Sequence, residues 1–199
     1  ILQCRKNRVT LYSNIQKMLK FSRIYLTGFM TSGKSTIGPI LANVLGWDFC
    51  DLDKIIEADY KKTIVQIFEQ IGESEFRKVE SEYLKKVSEQ NNIVISLGGG
   101  TICNDYNLQF IKENGKLIFL AVSIETLRRR LKKKLDRPLF RDLVLEDRPD
   151  EEFDERIINL LKKREPYYNK ADITIQSDNF KVGITVDLLA EKLERLLNE

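Results

Sequence analysis

Histidine is absent from this sequence of 199 residues. Without it, no Ser-His or Cys-His nucleophile pair and no histidine metal ligand is possible, so any chemistry must come from carboxylates, lysine, arginine, hydroxyls and the backbone. The three cysteines, Cys4, Cys50 and Cys103, lack metal-binding spacing, and their odd number is typical of a reduced cytosolic protein. No apolar run approaches a membrane span of about 20 residues. We therefore expect a cytoplasmic protein without a membrane segment.

A strong charge of either sign is also missing. The 33 lysines and arginines nearly balance 30 aspartates and glutamates, which leaves a formal net charge of +3. Nucleic-acid binders generally carry a clear basic excess for phosphate affinity, so no nucleic-acid partner is expected. With 42% hydrophobic and 32% charged residues, the composition is that of an ordinary globular protein, and the length predicts one domain.

The first 20 residues form a basic N-terminal arm, with five basic residues and no acidic one. The arm lacks the continuous apolar segment of a secretory signal. It is open to three interpretations: non-native sequence, a remnant transit peptide, or an extra segment that is either disordered or packed on the domain. A transit peptide would place the protein in an organellar stroma. We assign residues 21–199 to the single folded domain.

Short apolar runs alternate with segments of helical period along this domain. The runs that predict buried strands are Ile24–Thr27, Asp48–Leu52, Ile93–Leu97, Leu117–Val122 and Ile173–Ile175. The segments that predict helices are Ile37–Leu45, Glu73–Gln90, Ile124–Lys134, Glu151–Arg164 and Leu188–Leu197. Five strands separated by helices predict an α/β fold, a three-layer sandwich around a five-stranded parallel sheet. Ligands of such sheets bind at the carboxyl ends of the strands.

The clearest motif is GFMTSGKS over residues 28–35, which matches the phosphate-binding pattern GxxxxGK[ST] between a strand and a helix. Its glycines allow backbone N–H groups to face phosphate oxygens, and the helix N-terminus adds a partial positive charge. Lys34 is expected to reach the β and γ phosphates, and the Ser35 hydroxyl to bind Mg²⁺. The sequence therefore predicts ATP binding with Mg²⁺.

The phosphate-binding loop alone does not identify the acceptor of the phosphoryl group, because GTPases, nucleotide kinases, transport ATPases and small-molecule kinases all contain it. Further motifs bear on this question. Asp51 and Asp53 end the second strand, where alternation lets both carboxylates face the loop. Arg77 and Glu80 are three residues apart on a helix and can pair. The remaining motifs are ISLGGGT at 95–101, DRPL at 136–139 and REPYY at 164–168.

Taken in order, GFMTSGKSTIG, FCDLDKIIE, FRKVE, ISLGGGT, DRPL and REPYY resemble the shikimate kinase family, from about Arg23 to the C-terminus. The resemblance implies a P-loop kinase fold with a mobile lid around residues 132–148, and a monomer. It implies transfer of the ATP γ-phosphoryl group to the 3-hydroxyl of shikimate, in aromatic amino-acid biosynthesis by way of chorismate.

The resemblance also implies which residues bind the nucleotide. Those that would hold the phosphates are Thr31, Ser32, Gly33, Lys34, Ser35 and Thr36. Ser35 would bind Mg²⁺ directly, and Asp51 would lie behind the ion without binding it. Arg130 would lie near the nucleotide, and Arg137 would come from the lid onto the transferring phosphoryl group.

On the acceptor side, the resemblance assigns Asp53 to the shikimate hydroxyls, as the proton acceptor for the 3-hydroxyl. Arg77 and Arg164 would bind the carboxylate, which agrees with the bidentate geometry of a guanidinium. The pocket wall would be Gly98, Gly99 and Gly100. The expected catalytic residues are thus Lys34, Asp53 and Arg137.

Other interpretations stay open at this point. The chain could be a kinase of gluconate or of a nucleoside monophosphate, or a nucleotide-binding protein that has lost catalysis. The paired aspartates could serve only as a turn residue and a helix cap, and the three glycines could form only a turn. Arg77 could belong only to a surface ion pair with Glu80, and Arg164 could be only a charge at the C-terminus of a helix. Lysines 132–134 are interpreted as a solvated helix face.

Three positions depart from the pattern of the family. Thr31 stands where glycine is common, which predicts a less pliant loop. Phe140 follows Arg-Pro-Leu where leucine is usual. Phe180 stands where some relatives have arginine, in the segment Ser177–Val182 that is expected to contact adenine.

Overall fold

A computed structural model describes residues 20–178 and 181–198 of the chain. The predicted basic arm therefore lies outside the described residues except for Lys20, and Phe180 lies outside them as well.

Five strands form one parallel sheet, as the sequence predicts. They are β1 (Arg23–Thr27), β2 (Asp48–Asp51), β3 (Ile93–Ser96), β4 (Lys116–Ala121) and β5 (Ile173–Gln176). Each observed strand end lies within one residue of the predicted end. The strand order is β2-β3-β1-β4-β5, so β1 lies at the centre of the sheet with β3 and β4 on its two sides. The carboxyl end of β1 therefore opens into the phosphate-binding loop between two neighbouring strand ends.

Eight α-helices surround the sheet in the described part of the chain. They are α1 (Lys34–Leu45), α2 (Leu52–Tyr60), α3 (Ile64–Val87), α4 (Asp105–Asn114), α5 (Ile124–Leu131), α6 (Arg141–Leu145), α7 (Asp150–Tyr168) and α8 (Val182–Asn198). A 3₁₀ helix, Pro138–Phe140, precedes α6. None of the helices in the described ranges combines the length and the apolar character needed to cross a membrane.

Helix α3 begins nine residues earlier than the predicted start at Glu73. A capping box explains this start, because the Thr63 side chain accepts from the Gln66 N–H while the Gln66 side chain accepts from the Thr63 N–H. The helix is broken at Gly72, where φ is 77° and ψ is 168°. The predicted segment is thus the second part of a longer helix with a glycine kink.

Apolar side chains on both faces of the sheet confirm the three-layer sandwich. On one face, Leu41 of α1 and Leu193 of α8 pack against Leu26 and Ile118. On the other face, helices α2, α3 and α4 bury residues such as Leu84 and Ile111 against β3 and β4. A third cluster joins Phe29 of the phosphate loop to Phe140, Phe153 and neighbouring side chains of α5 and α7. The segment predicted as a lid is therefore packed directly on the phosphate loop.

Candidate active site

The loop after β1 has the backbone shape that phosphate binding requires. Gly28 and Gly33 have φ values of 149° and 104°, and Thr31 has a φ of 64°. A side chain at Gly28 is excluded, because its Cβ would lie 2.7 Å from the Leu120 carbonyl oxygen. A positive φ is unfavourable for a β-branched residue, which explains why glycine suits the position of Thr31.

Lys34 is buried at the start of α1, and its ammonium group is held by the loop itself. Its Nζ donates to the carbonyl oxygens of Gly28, at 2.9 Å, and Phe29, at 3.2 Å. Burial lowers the pKa of Lys34 to about 8, and the nearby Asp53 carboxylate opposes that shift. The amine is thus placed beside the loop in which phosphates are expected.

Ser35 and Asp51 bring two side-chain oxygen groups together at the mouth of the loop. The Ser35 hydroxyl donates to Asp51 Oδ2 at 2.7 Å, and both residues line the same cleft. Asp51 also caps α2, since its side chain accepts from the Lys54 N–H. A hydroxyl and a carboxylate are the hard oxygen donors that Mg²⁺ prefers. Within the described ranges no cluster of three or more His, Cys, Asp or Glu could hold a metal, so a Mg²⁺ ion here would need phosphate and water ligands as well.

Asp53 lies in the first turn of α2, among groups of both charges. Its pKa is raised to about 6 by burial first, and then by the carboxylates of Glu80 and Asp51. Lys34 and Arg137 act in the opposite direction. A carboxylate with this pKa is mostly ionised at neutral pH and basic enough to take a proton from a hydroxyl as that hydroxyl reacts.

The three glycines after β3 lie against the predicted acceptor residues. A Cβ at Gly98 would lie 3.1 Å from Asp53 Oδ1. At Gly99 it would lie 3.1 Å from Arg164 Nη1, and at Gly100 2.9 Å from Arg77 Nη2. The glycine segment therefore brings Asp53, Arg164 and Arg77 to one wall, and each glycine leaves room for one of these groups.

Arg77 is oriented by two carboxylates of its own helix. Its Nη1 donates to Glu80 Oε2 at 2.8 Å, and its Nη2 to Glu73 Oε1 at 3.0 Å. Glu80 is only 1% exposed, and its Oε1 accepts from the Thr101 hydroxyl at 2.5 Å. The pair is thus no ordinary surface ion pair, because one partner is buried at the glycine wall.

Arg164 is a buried cation on the last turns of α7. It is 7% exposed, and its Nη1 has no hydrogen-bond partner. Among the described residues, no carboxylate lies within ion-pair distance of it. Its guanidinium carbon lies 5.4 Å from the centre of the Phe29 ring, and the Tyr168 hydroxyl interacts with it. A buried guanidinium with a free donor is the arrangement expected for binding an anionic group of a ligand.

A cleft of about 1150 Å³ unites most of the predicted residues. Those that line it are Thr31, Ser32, Gly33, Lys34, Ser35, Thr36, Asp51, Asp53, Gly99, Arg130 and Arg137. Four predicted residues do not line this cleft: Arg77, Arg164, Gly98 and Gly100. The two glycines flank Gly99, which lines the cleft, and the two arginines lie against the glycine segment.

Arg130 of α5 and Arg137 of the predicted lid segment contribute basic side chains to the cleft. Arg130 Nη1 donates to the Thr31 carbonyl oxygen at 2.7 Å, which holds the strained loop position. Arg137 acts on Lys34 and Asp53 electrostatically, and its Nε is buried without a hydrogen-bond partner. Lysines 132–134 are exposed, as predicted, but they do not form a helix face, because α5 ends at Leu131 and not at the predicted Lys134. Lys133 and Lys134 also lie at the edge of the cleft.

The structure adds residues that the motifs did not assign to the site. Glu80 and Thr101 support the glycine wall, and the Tyr168 hydroxyl donates to the Gly99 carbonyl oxygen at 2.9 Å. Ser177 donates to the Ser32 carbonyl oxygen at 3.0 Å and so ties the loop to the segment after β5. These contacts join distant parts of the chain, and no local pattern could have indicated them.

Comparison with known proteins gives a consistent result. The family model described as shikimate kinase matches residues 30–194. A shikimate kinase of Chlorobaculum tepidum is 47% identical over 178 residues, which cover 89% of this chain and 93% of the relative.

Two solved structures extend the comparison. One is a shikimate kinase from Bacteroides thetaiotaomicron, with a TM-score of 0.77 and 37% identity over 87% of this chain and 98% of that one. The other is a shikimate kinase from Acinetobacter baumannii in complex with shikimate, with a TM-score of 0.77 and 32% identity over 92% and 96% of the two chains.

Proposed function

The chain belongs to the shikimate kinase family, and we propose that its cleft transfers the γ-phosphoryl group of ATP to the 3-hydroxyl of shikimate. It is an ATP-dependent kinase of the pathway that leads through chorismate to the aromatic amino acids. One observation carries the assignment to these residues: a raised-pKa carboxylate and two arginines meet at a side-chain-free wall beside a phosphate-binding loop. A small hydroxy acid is the substrate that such a set suits.

Arg164 and Arg77 bind the carboxylate of shikimate. Arg164 supplies a buried cation with a free donor, and Arg77 presents a guanidinium already fixed by Glu80 and Glu73. Because Gly99 and Gly100 have no side chains, a compact ring has room to lie between the guanidinium groups and the backbone. Both arginines thus fix the acceptor before reaction, which is the main contribution an enzyme makes to phosphoryl transfer.

Asp53 positions the 3-hydroxyl and accepts its proton. The hydroxyl oxygen forms a bond to the γ-phosphorus of ATP as the bond from that phosphorus to the β,γ-bridging oxygen breaks. ADP leaves with that oxygen, and the proton of the hydroxyl passes to the Asp53 carboxylate. The raised pKa of Asp53 supports this role, because burial and the neighbouring carboxylates make it a stronger base than an exposed aspartate.

Lys34 and Arg137 stabilise the charge that moves during transfer. The ammonium group of Lys34 donates to carbonyl oxygens of the loop, and these contacts hold it beside the expected position of the phosphates. A phosphate anion there raises its pKa and keeps it charged. Arg137 joins it from the lid, and the other loop residues Thr31, Ser32, Gly33, Ser35 and Thr36, with Arg130, hold the phosphates in line.

Ser35 is the residue that would bind Mg²⁺ directly, with Asp51 behind it to accept hydrogen bonds from the ion's water ligands. When bound, the ion neutralises charge on the β and γ phosphates.

The remaining assignments complete the proposal. Residues 21–199 act as one domain, residues 132–148 close over bound substrates, and the protein works as a monomer in the cytoplasm. Closure would exclude water, which otherwise competes with shikimate as the acceptor.

A coupled assay of ADP release tests the proposed function. Turnover with ATP should require shikimate and should be far slower with gluconate or with nucleoside monophosphates. Asp53→Asn should lose nearly all turnover while ADP binding by calorimetry stays close to that of the wild type. ADP release that does not depend on shikimate would refute the proposal. ADP-dependent stabilisation without any shikimate binding would indicate instead a nucleotide-binding protein without catalysis.

A further inference from the structure

Three phenylalanines form a continuous column from the phosphate loop through the lid segment to α7. The Phe29 ring meets Phe140 edge-on at a centroid distance of 6.1 Å, and Phe140 lies parallel to Phe153 at 6.2 Å. All three are at most 2% exposed. Phe140 follows the lid arginine motif at a position where leucine is usual in the family. The column therefore links the phosphate loop, which binds ATP in the proposed function, to α7, which carries the shikimate-binding Arg164. None of the three phenylalanine side chains has a role in the phosphoryl transfer proposed for this cleft.

Arg164 lies at the loop end of this column. Its guanidinium carbon is 5.4 Å from the Phe29 ring centre, within the range of a favourable cation–π contact. Desolvation makes a buried cation costly, and no carboxylate of the described ranges lies within ion-pair distance to offset that cost. The electron-rich face of Phe29 is a partner that stabilises the cation without occupying its donors. Its Nη1 accordingly stays free of hydrogen bonds and lies near Gly99.

We propose that Phe29 is a positioning residue for shikimate, which holds the Arg164 guanidinium at the glycine wall through its ring. This inference rests on the proposed function, in which Arg164 binds the substrate carboxylate. The side chain of Phe29 thus serves the acceptor site, while its carbonyl oxygen accepts from Lys34 at 3.2 Å and serves the nucleotide site. Phe29 therefore contributes to both binding sites, through its ring to the acceptor site and through its carbonyl oxygen to the nucleotide site.

Phe140 of the lid segment holds the Phe29 ring in position. Phe140 packs on Phe29, and the Arg156 guanidinium carbon lies 5.9 Å from the Phe140 ring centre. Arg156 also donates to the Leu139 carbonyl oxygen at 3.1 Å and to the Asp142 carboxylate. An aliphatic residue at position 29 would fill similar space, yet it would offer Arg164 no negative ring face.

Fluorinated phenylalanines at position 29 test the inference with little change of shape. Successive fluorine atoms remove electron density from the ring face and weaken a cation–π contact stepwise. We expect the Kd for shikimate, measured by calorimetry, to rise with each added fluorine. The rise should reach about three- to tenfold for the pentafluoro ring, the range of a partly desolvated cation–π contact. The Kd for ADP and the melting temperature should change little.

Two further variants separate positioning from packing. Phe29→Leu should weaken shikimate binding, whereas Phe153→Leu should not, since Phe153 touches Phe140 and lies outside the contacts of Arg164. In an Arg164→Met background, the fluorinated series should have no effect on shikimate binding.

The outcomes distinguish this inference from the function on which it rests. If the wild type does not bind shikimate, the proposed function fails and the inference fails with it. If Arg164→Met weakens shikimate binding but the fluorinated series does not, the inference alone is wrong. The inference is also wrong if the Kd for shikimate still rises with each added fluorine in the Arg164→Met background, because Phe29 would then act without Arg164.

Discussion

Gly98→Ala should disrupt the acceptor wall. The added Cβ would lie 2.4 Å from Glu80 Oε1, 3.0 Å from Thr101 Oγ1 and 3.1 Å from Asp53 Oδ1. Glu80 is buried and holds both Thr101 and Arg77 by hydrogen bonds, so it has no free space to enter. Overpacking of a core costs about 1–3 kcal/mol, and a weakened hydrogen bond to a buried charge adds about 1–2 kcal/mol.

We therefore expect Gly98→Ala to lower the free energy of unfolding by about 3 kcal/mol. For a protein of this size that corresponds to a fall in melting temperature of roughly 6–12 °C. Shikimate binding should weaken at least about tenfold, because the added Cβ crowds Asp53 directly and displaces Glu80, which holds Arg77. ADP binding should be nearly unchanged, since the phosphate loop makes no contact with this clash.

Urea unfolding and calorimetric titration measure both effects. Gly183→Ala is a matched control, because it lies in α8 and its Cβ would meet nothing within 4 Å. That variant should be as stable as the wild type or up to about 1 kcal/mol more stable, from helix propensity. A Gly98→Ala variant that unfolds within about 0.5 kcal/mol of the wild type and binds shikimate normally would refute this prediction.

Three other predictions follow from the loop and its neighbours. The kcat/KM for shikimate should fall as the pH drops through about 6, because Asp53 gains a proton. The kcat/KM for ATP should fall as the pH rises through about 8, because Lys34 of the free protein loses a proton. Profiles of both parameters that stay flat from about pH 5 to 9 would contradict these roles. Thr31→Gly should raise the free energy of unfolding in urea by about 0.5–2 kcal/mol, because relief of the strain of the positive φ exceeds the entropic cost of glycine. A fall in the free energy of unfolding of more than about 1 kcal/mol would show that the threonine is not strained. Asp51→Asn should raise the half-saturating Mg²⁺ concentration about 10- to 100-fold in the coupled assay, and an unchanged Mg²⁺ requirement would exclude Asp51 from the metal site.

The strands could be predicted to within one residue because each contains a short run of strand-forming residues, a pattern set by local composition. The inner strands β1 and β3 are buried almost throughout, whereas the edge strands β2 and β5 are partly exposed. The helix over Ile64–Ile71 was missed because Gly72 separates it from the charged stretch that shows helical character, and its capping box is a weaker signal. The P-loop was predictable in full, since its geometry depends on glycines at fixed spacing within one segment.

The wall of the acceptor site could not be derived from the residues without the resemblance to a family. The segment Gly98–Gly100 lies near Asp53, Arg164 and Arg77 only because three helices, α2, α3 and α7, meet at the carboxyl end of β3. The support from Glu80, Thr101 and Tyr168 depends on that same packing. Pairing of Arg77 with Glu80 was predictable from their spacing, but the burial of Glu80 was not.

A crystal structure of the protein with shikimate and ADP tests the central claim most directly. We expect the shikimate carboxylate to lie on Arg77 and Arg164 and the ring to lie against Gly98–Gly100. The 3-hydroxyl should lie within hydrogen-bond distance of the Asp53 carboxylate. Shikimate bound with its carboxylate away from both arginines, or with its 3-hydroxyl away from Asp53, would contradict it.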